Sequence, residues 1–454
     1  MIEAPAGTAA VDLLEEDLDS RPTERLPLGQ LFQISLYWLG INTIWGGIGV
    51  VVQERVPALV AAGEAGRFLA LQSVVTMAMA ILIQPTVGSI SDYTISRWGR
   101  RKPYIAIGAA LDVVFLIGIA TSNTYLSLVA FLVLLQFSSN FAQGPFQGYV
   151  PDLVPPAQVG MASALVGVMQ TLGFIAGGLI ITLGYVLGDF TLPIIALGIV
   201  EGATALGTLL WVREGRRARD RRGRSWLAIA RSAWGTDVLR ERSFVWLVLS
   251  RLMFLAGINM LLGLYILFMS RALGLTNDDK ALWVPVTQLV VAVLTVIASV
   301  PSARISDRIG RKPVIYVACA IGAVGMAIAA IAPSIQVFVL GAILMGVASG
   351  TFLAVDWALM TDIIPKAASG RYMGISNIAV ASGGPVATII GGLLIDAVGG
   401  PAETGDGPRA AFAAGIVLFI LAGVFLRRVD PRPRDVRLAD ERAMAELAGA
   451  TGSA

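Results

Sequence analysis

Four charged residues stand inside otherwise apolar runs of the 454-residue chain: Asp112, Glu201, Arg251 and Asp356. A charge at the centre of a membrane-spanning helix costs about 2.5–3.5 kcal/mol on insertion scales, so each is a candidate for a task. Carboxyls in that setting can carry protons, and no histidine is present to share that role. Its absence also excludes His-ligated metals and Ser-His catalysis. A single cysteine, Cys319, excludes an internal disulfide and a thiolate metal cluster. Arg251 and Asp356 lie roughly 12 Å and 9 Å inside their runs at the rise of a helix. Asp112 and Glu201 sit near the middle of theirs. They can share a proton, or each can be hydrogen-bonded separately inside a bundle.

Neutral groups accompany the charges. Trp38, Asn42 and Trp45 are spaced to share one helix face. Asn140, Gln143 and Gln147 share another, and Asn259, Gln288 and Trp357 lie in later runs. An indole offers an apolar face and one N–H, and an amide both donates and accepts, which is the chemistry a sugar requires. The same residue types also serve as interfacial anchors and as interhelical glue.

The elements that must position these groups are membrane helices. The chain is 56% hydrophobic and 14% charged, against roughly 25% charged in a soluble domain. Apolar runs of the length a bilayer needs fall at 31–52, 67–90, 103–121, 125–148, 160–184, 190–212, 243–269, 281–302, 313–331, 334–358, 371–396 and 409–428. They are too long, and alternate too little, for a β-barrel. Arg97, Arg100, Arg101 and Lys102 follow run 2; ten arginines fill 213–242; Arg304, Arg308, Arg311 and Lys312 follow run 8; Arg427, Arg428, Arg432 and Arg434 follow run 12. With twelve spans all of these fall on one side, which the positive-inside rule makes cytosolic, with both termini. The expected organisation is a cytosolic tail (1–30), a six-helix bundle (31–212), a basic linker (213–242), a second six-helix bundle (243–428) and a second tail (429–454).

The halves repeat. Ser91-Asp92 with Gly99-Arg100-Arg101-Lys102-Pro103 matches Ser306-Asp307 with Gly310-Arg311-Lys312-Pro313. Pro151-Asp152-Leu153-Val154-Pro155 matches Thr361-Asp362-Ile363-Ile364-Pro365. Two motifs in the same order at nearly one offset indicate a parallel duplication. The first motif, from Gly88-Ser89-Ile90-Ser91-Asp92 through Arg97 to Pro103, resembles the loop 2–3 signature of the major facilitator superfamily. The longer insertion in that loop, and Gln143-Gly144-Pro145 leading into Pro151–Pro155, resemble the sucrose–proton and glycoside–cation symporters.

The resemblance implies an all-α fold of twelve transmembrane helices in two pseudo-symmetric bundles. It implies that Asp92, Arg97, Gly99, Arg100, Arg101 and Asp152 form a cytosolic gate, with Asp307, Arg308, Gly310, Arg311 and Asp362 as second-half counterparts. Exposed bridges are worth only about 0–1 kcal/mol each, which suits a latch that opens every cycle. Setting topology is the alternative role for these charges. The resemblance also places spans 7 and 10 along the cavity, which implies that Arg251 and Asp356 can pair there, either for proton coupling or as a fixed packing contact, and it places spans 3 and 6 in the outer scaffold. No GxxxxGK[ST] phosphate loop is present, so a gradient must drive transport. The expected function is proton symport of a glycoside or disaccharide by a monomer in a bacterial inner membrane, without cofactor or nucleic acid. The alternative is a proton-coupled exporter of an amphipathic compound. Such antiporters of the superfamily carry a Gly-Pro signature in span 5. Here the nearest look-alike, Gly383-Gly384-Pro385, lies in span 11.

Overall fold

A computed structural model describes residues 24–94, 96–214, 223, 225–227, 241–363, 369–400 and 402–430. Twelve membrane-length helices are found among them: α1 (Leu28–Leu59), α2 (Ala65–Ser91), α3 (Lys102–Thr121), α4 (Tyr125–Leu153), α5 (Val159–Leu187), α6 (Thr191–Trp211), α7 (Arg242–Ala272), α8 (Asn277–Ile309), α9 (Arg311–Ile331), α10 (Ile335–Ile363), α11 (Ser369–Gly399) and α12 (Asp406–Arg427). The described residues contain no strand. Most of the linker and both tails, with Arg432 and Arg434, lie outside the described residues.

Each helix overlaps an expected run and several extend beyond it. Polar caps explain part of the extension. Thr276 and Asp279 form a capping box that starts α8 at Asn277, ahead of its first apolar residue. α4 is interrupted between Phe146 and Tyr149, just after Pro145. Proline in a helix interior removes a backbone donor and crowds the preceding turn.

The packing pattern is the same in both halves. α1 packs on α5 and α6, α3 on α4 and α6, and α2 on α4. In the second half α7 packs on α11 and α12, α9 on α10 and α12, and α8 on α10. The duplication read from the motifs is thus a repeat of structure.

Between the halves, α2 packs on α11, α5 on α8 and α1 on α7. Polar contacts tie these helices near the ends opposite the arginine-rich loops, here called the far end. Asp396 of α11 accepts the Gly66 and Arg67 backbone N–H groups at the start of α2, at 2.8 and 2.5 Å. A carboxylate there satisfies orphan donors and the positive end of the helix dipole. Beside it the backbones nearly touch: a Cβ on Gly66 would lie 1.8 Å from the Gly392 carbonyl oxygen. The Gln53 amide bridges one turn of α7, donating to the Leu262 carbonyl and accepting from the Ile266 N–H. Glu54 pairs with Lys280 of α8 at 2.8 Å and accepts from the Tyr185 hydroxyl.

The other far-end cations are also engaged. Arg55 caps the last carbonyls of α3, and Arg409 does the same for α9. Arg271 pairs with Glu403, and Arg67 with Glu64.

Candidate functional site

At the basic end, the break in α4 creates a seat for Arg101. Its guanidinium donates to the Pro145 carbonyl at 2.7 Å and pairs with Asp92 at 2.8 Å and Asp152 at 2.7 Å. Arg100 also pairs with Asp152. Gly148 leaves the room: a Cβ there would sit 1.7 Å from an Arg101 nitrogen. Gly99, at φ +117°, turns the chain into α3 and lies against Glu214. That φ strongly favours glycine. Glu214 accepts the Arg101 backbone N–H and the Tyr149 hydroxyl. Arg97 is exposed and rests over the Trp98 ring, while Lys102 donates to the Leu209 carbonyl. These named bonds all join elements of the first half.

The second-half counterpart is more open. Arg311 pairs with Asp307 at 2.5 Å and donates to the Ser306 hydroxyl. Asp307, Arg308 and Gly310 are exposed, and Gly310 again has a positive φ. Asp362 lies in α10, with its side chain outside the described residues. Val355 stands where the repeat puts Pro145, and α10 runs on to Ile363 without a break.

At membrane depth the structure brings Arg251 and Asp356 together. Arg251 Nε lies 3.2 Å from Asp356 Oδ2, with side-chain exposures of 5% and 2%. The contact is an ion pair without hydrogen-bond geometry, and among the described residues neither Asp356 oxygen has a hydrogen-bond partner. Arg251 is held instead by Ser376 of α11, to which Nη1 donates at 2.6 Å. Trp357, 48% exposed, stacks its ring 5.7 Å from the Arg251 guanidinium.

Asp112 and Glu201 are fully buried in α3 and α6. Ser138 donates to Asp112, and the Tyr37 hydroxyl donates to Glu201 at 2.6 Å.

The neutral candidates divide by burial. Trp38, Asn140 and Gln288 are buried. Trp38 packs on Phe146, with ring centroids 5.5 Å apart. Gln288 donates to the Tyr265 hydroxyl and the Gly46 carbonyl, where the halves meet. Asn42, Trp45, Gln143, Gln147 and Asn259 are partly exposed. Asn42, Asn140 and Asn259 each donate one turn back along their own helix, to Trp38, Gln136 and Leu255. Each retains an amide oxygen beyond that bond. Sequence reasoning missed Tyr37, Ser138, Ser376, Tyr149 and Glu214. Their partners lie on other elements of the fold, so no spacing along one helix marks them.

Two overlapping matches to the profile of the Major Facilitator Superfamily cover residues 32–294 and 247–451. The chain belongs to that superfamily. Its fold agrees: the structure of the nucleoside transporter NupG superposes with TM-score 0.68 at 14% identity, covering 88% of this chain and 99% of that one. The D-xylose-proton symporter superposes at 0.63 and 19% identity, with the same coverage. A bacterial homologue of the human lysosomal transporter Spinster, inward-facing and occupied, reaches 0.70 at 13% identity, covering 88% of this chain and 96% of that one. Among curated sequences, human Proton-associated sugar transporter A is 31% identical over 142 residues, which is 27% of this chain and 19% of that protein. Human Membrane-associated transporter protein is 28% identical over 154 residues, 30% of this chain and 28% of that protein. The matched stretches thus span under a third of these relatives.

Proposed function

We propose that the chain is a secondary transporter that moves a glycoside, a disaccharide, together with protons by alternating access. It works as a monomer in a bacterial cytoplasmic membrane, with both termini and the basic loops cytosolic. The observation that carries this reading is the Arg251–Asp356 pair. Among the described residues Asp356 has one counter-charge and no hydrogen bond, so a proton delivered to it dissolves the pair. Arg251 then loses its charge partner on α10 and keeps only Trp357 and Met360 there, while Ser376 still ties it to α11. A proton thereby alters the contact among three helices. Trp357, half exposed over the same guanidinium, offers an apolar face to a sugar ring beside the proton carrier.

Asn42, Trp45, Gln143, Gln147 and Asn259 supply further donors and acceptors, with the buried Trp38, Asn140 and Gln288 completing the binding set. Asp92, Arg97, Gly99, Arg100, Arg101 and Asp152, with Asp307, Arg308, Gly310, Arg311 and Asp362, form the cytosolic gate. The far-end contacts close the outer face. The partial relatives named for proton-associated sugar transport support the solute class and the driving ion. Uptake of labelled sucrose and maltose by cells expressing the chain, with and without a protonophore, tests the proposal. Accumulation that the protonophore abolishes supports it. Export, or accumulation that survives the protonophore, contradicts it.

A further inference from the structure

We propose that Asp112 and Glu201, with Tyr37 and Ser138, form a proton-holding site in the first half, separate from Arg251–Asp356. Two glycines bring the four groups together. Gly40, one turn after Tyr37, lets α1 meet the Glu201 backbone, and a Cβ there would lie 2.9 Å from Glu201 Cα. Gly108, one turn before Asp112, lets α3 meet α4, and its Cβ would lie 2.7 Å from the Ser138 carbonyl oxygen. Val113 packs against both Gly198 and Gly202. The two carboxyls therefore share one layer of the α3–α6 contact.

Each carboxyl receives one hydroxyl donor, and its second oxygen is left over. Asp112 Oδ2 and Glu201 Oε2 are buried and have no hydrogen-bond partner among the described residues. From the packed helices, α1 presents Tyr37 and α4 presents Ser138. Among the described residues no arginine or lysine pairs with either carboxyl. Two bare carboxylates in a bilayer core, without a counter-charge, are strongly disfavoured. A bound proton supplies both missing elements, a donor for a bare oxygen and a positive charge. With one proton the site carries a single negative charge, and a second proton neutralises it.

Counting protons tests the site without any solute. The purified protein is unfolded in weakly buffered detergent at pH 7, and the protons released are titrated. An unfolded carboxyl ionises near pH 4, so whatever the pair holds is set free. The Asp112→Asn/Glu201→Gln variant should release about one proton fewer than wild type, two at most, and Asp356→Asn should not reproduce that deficit. Equal release by wild type and the double variant overturns the proposal. So does a deficit seen in choline but absent in sodium, which assigns the site to sodium. If the double variant is not recovered folded, the infrared spectrum of Asp356→Asn at pH 7 decides. A carboxylic-acid C=O band that moves in D2O supports the site, and its absence overturns it. Neither readout involves transport, so this inference and the proposed function fail separately.

Discussion

Removing Arg251 is the most informative single perturbation. In Arg251→Ala, Asp356 loses its only named counter-charge in a setting that is 2% exposed. Solvent screening therefore offers little relief, and stripping one partner from a buried pair costs about 3–5 kcal/mol. Part of the loss is unrelated to the pair, because the bond to Ser376 contributes roughly 0.5–1.5 kcal/mol. That part recurs in Arg251→Ala/Asp356→Asn and cancels in a double-mutant cycle. The residual coupling should fall in the upper part of the roughly 0.5–3 kcal/mol range of contacting residues. Denaturation of the four purified proteins in one detergent measures it. Arg251→Ala should be poorly recovered or inactive, while the double variant should regain stability without regaining uphill transport. Asp356→Asn should lose accumulation driven by a pH gradient and still exchange solute across the membrane. Additive stability losses would refute the pair, and wild-type accumulation by Asp356→Asn would refute its proton role.

Other expectations follow from the two ends of the molecule. Reporter fusions at Gly223 and Gly405 should land on opposite sides of the membrane, and the same side for both sinks the topology. Asp92→Asn removes one of the two carboxylates on Arg101. It should slow turnover while solute affinity stays within a few-fold; a large affinity loss at normal turnover would place Asp92 in the binding site instead. Gly66→Ala puts a Cβ 1.8 Å from a backbone oxygen that cannot step aside. It should hold α2 and α11 apart, lower transport, and raise maleimide labelling of a cysteine placed at Gln53; unchanged labelling contradicts closure at this point.

Much of the fold was legible because the bilayer imposes a length on every span. The arginine bias and the two repeated motifs then set the count at twelve and the duplication at six plus six. Arg251 and Asp356 were legible as a pair because both are costly at membrane depth and the family resemblance puts their two spans along one cavity. Other contacts were not legible, for physical reasons. Tyr37 and Ser138 are ordinary helix residues until the close approaches at Gly40 and Gly108 bring them to Glu201 and Asp112. Glu54, Lys280 and Asp396 sit near span ends, where charges are cheap, so their depth carries no signal. Their partners are separated from them by 226 residues for Glu54–Lys280 and 330 for Asp396–Gly66. The repeat also concealed a difference: Pro145 breaks α4 and seats Arg101, whereas Val355 leaves α10 continuous.

Proton movement caused by the solute itself tests the central claim most directly. Purified protein is placed in liposomes with no imposed gradient, and sucrose or maltose is added outside under weak buffering. External alkalinisation is expected that saturates with solute, is absent from protein-free liposomes and is lost in Asp356→Asn. Solute entry measured in the same vesicles without any proton movement would contradict it.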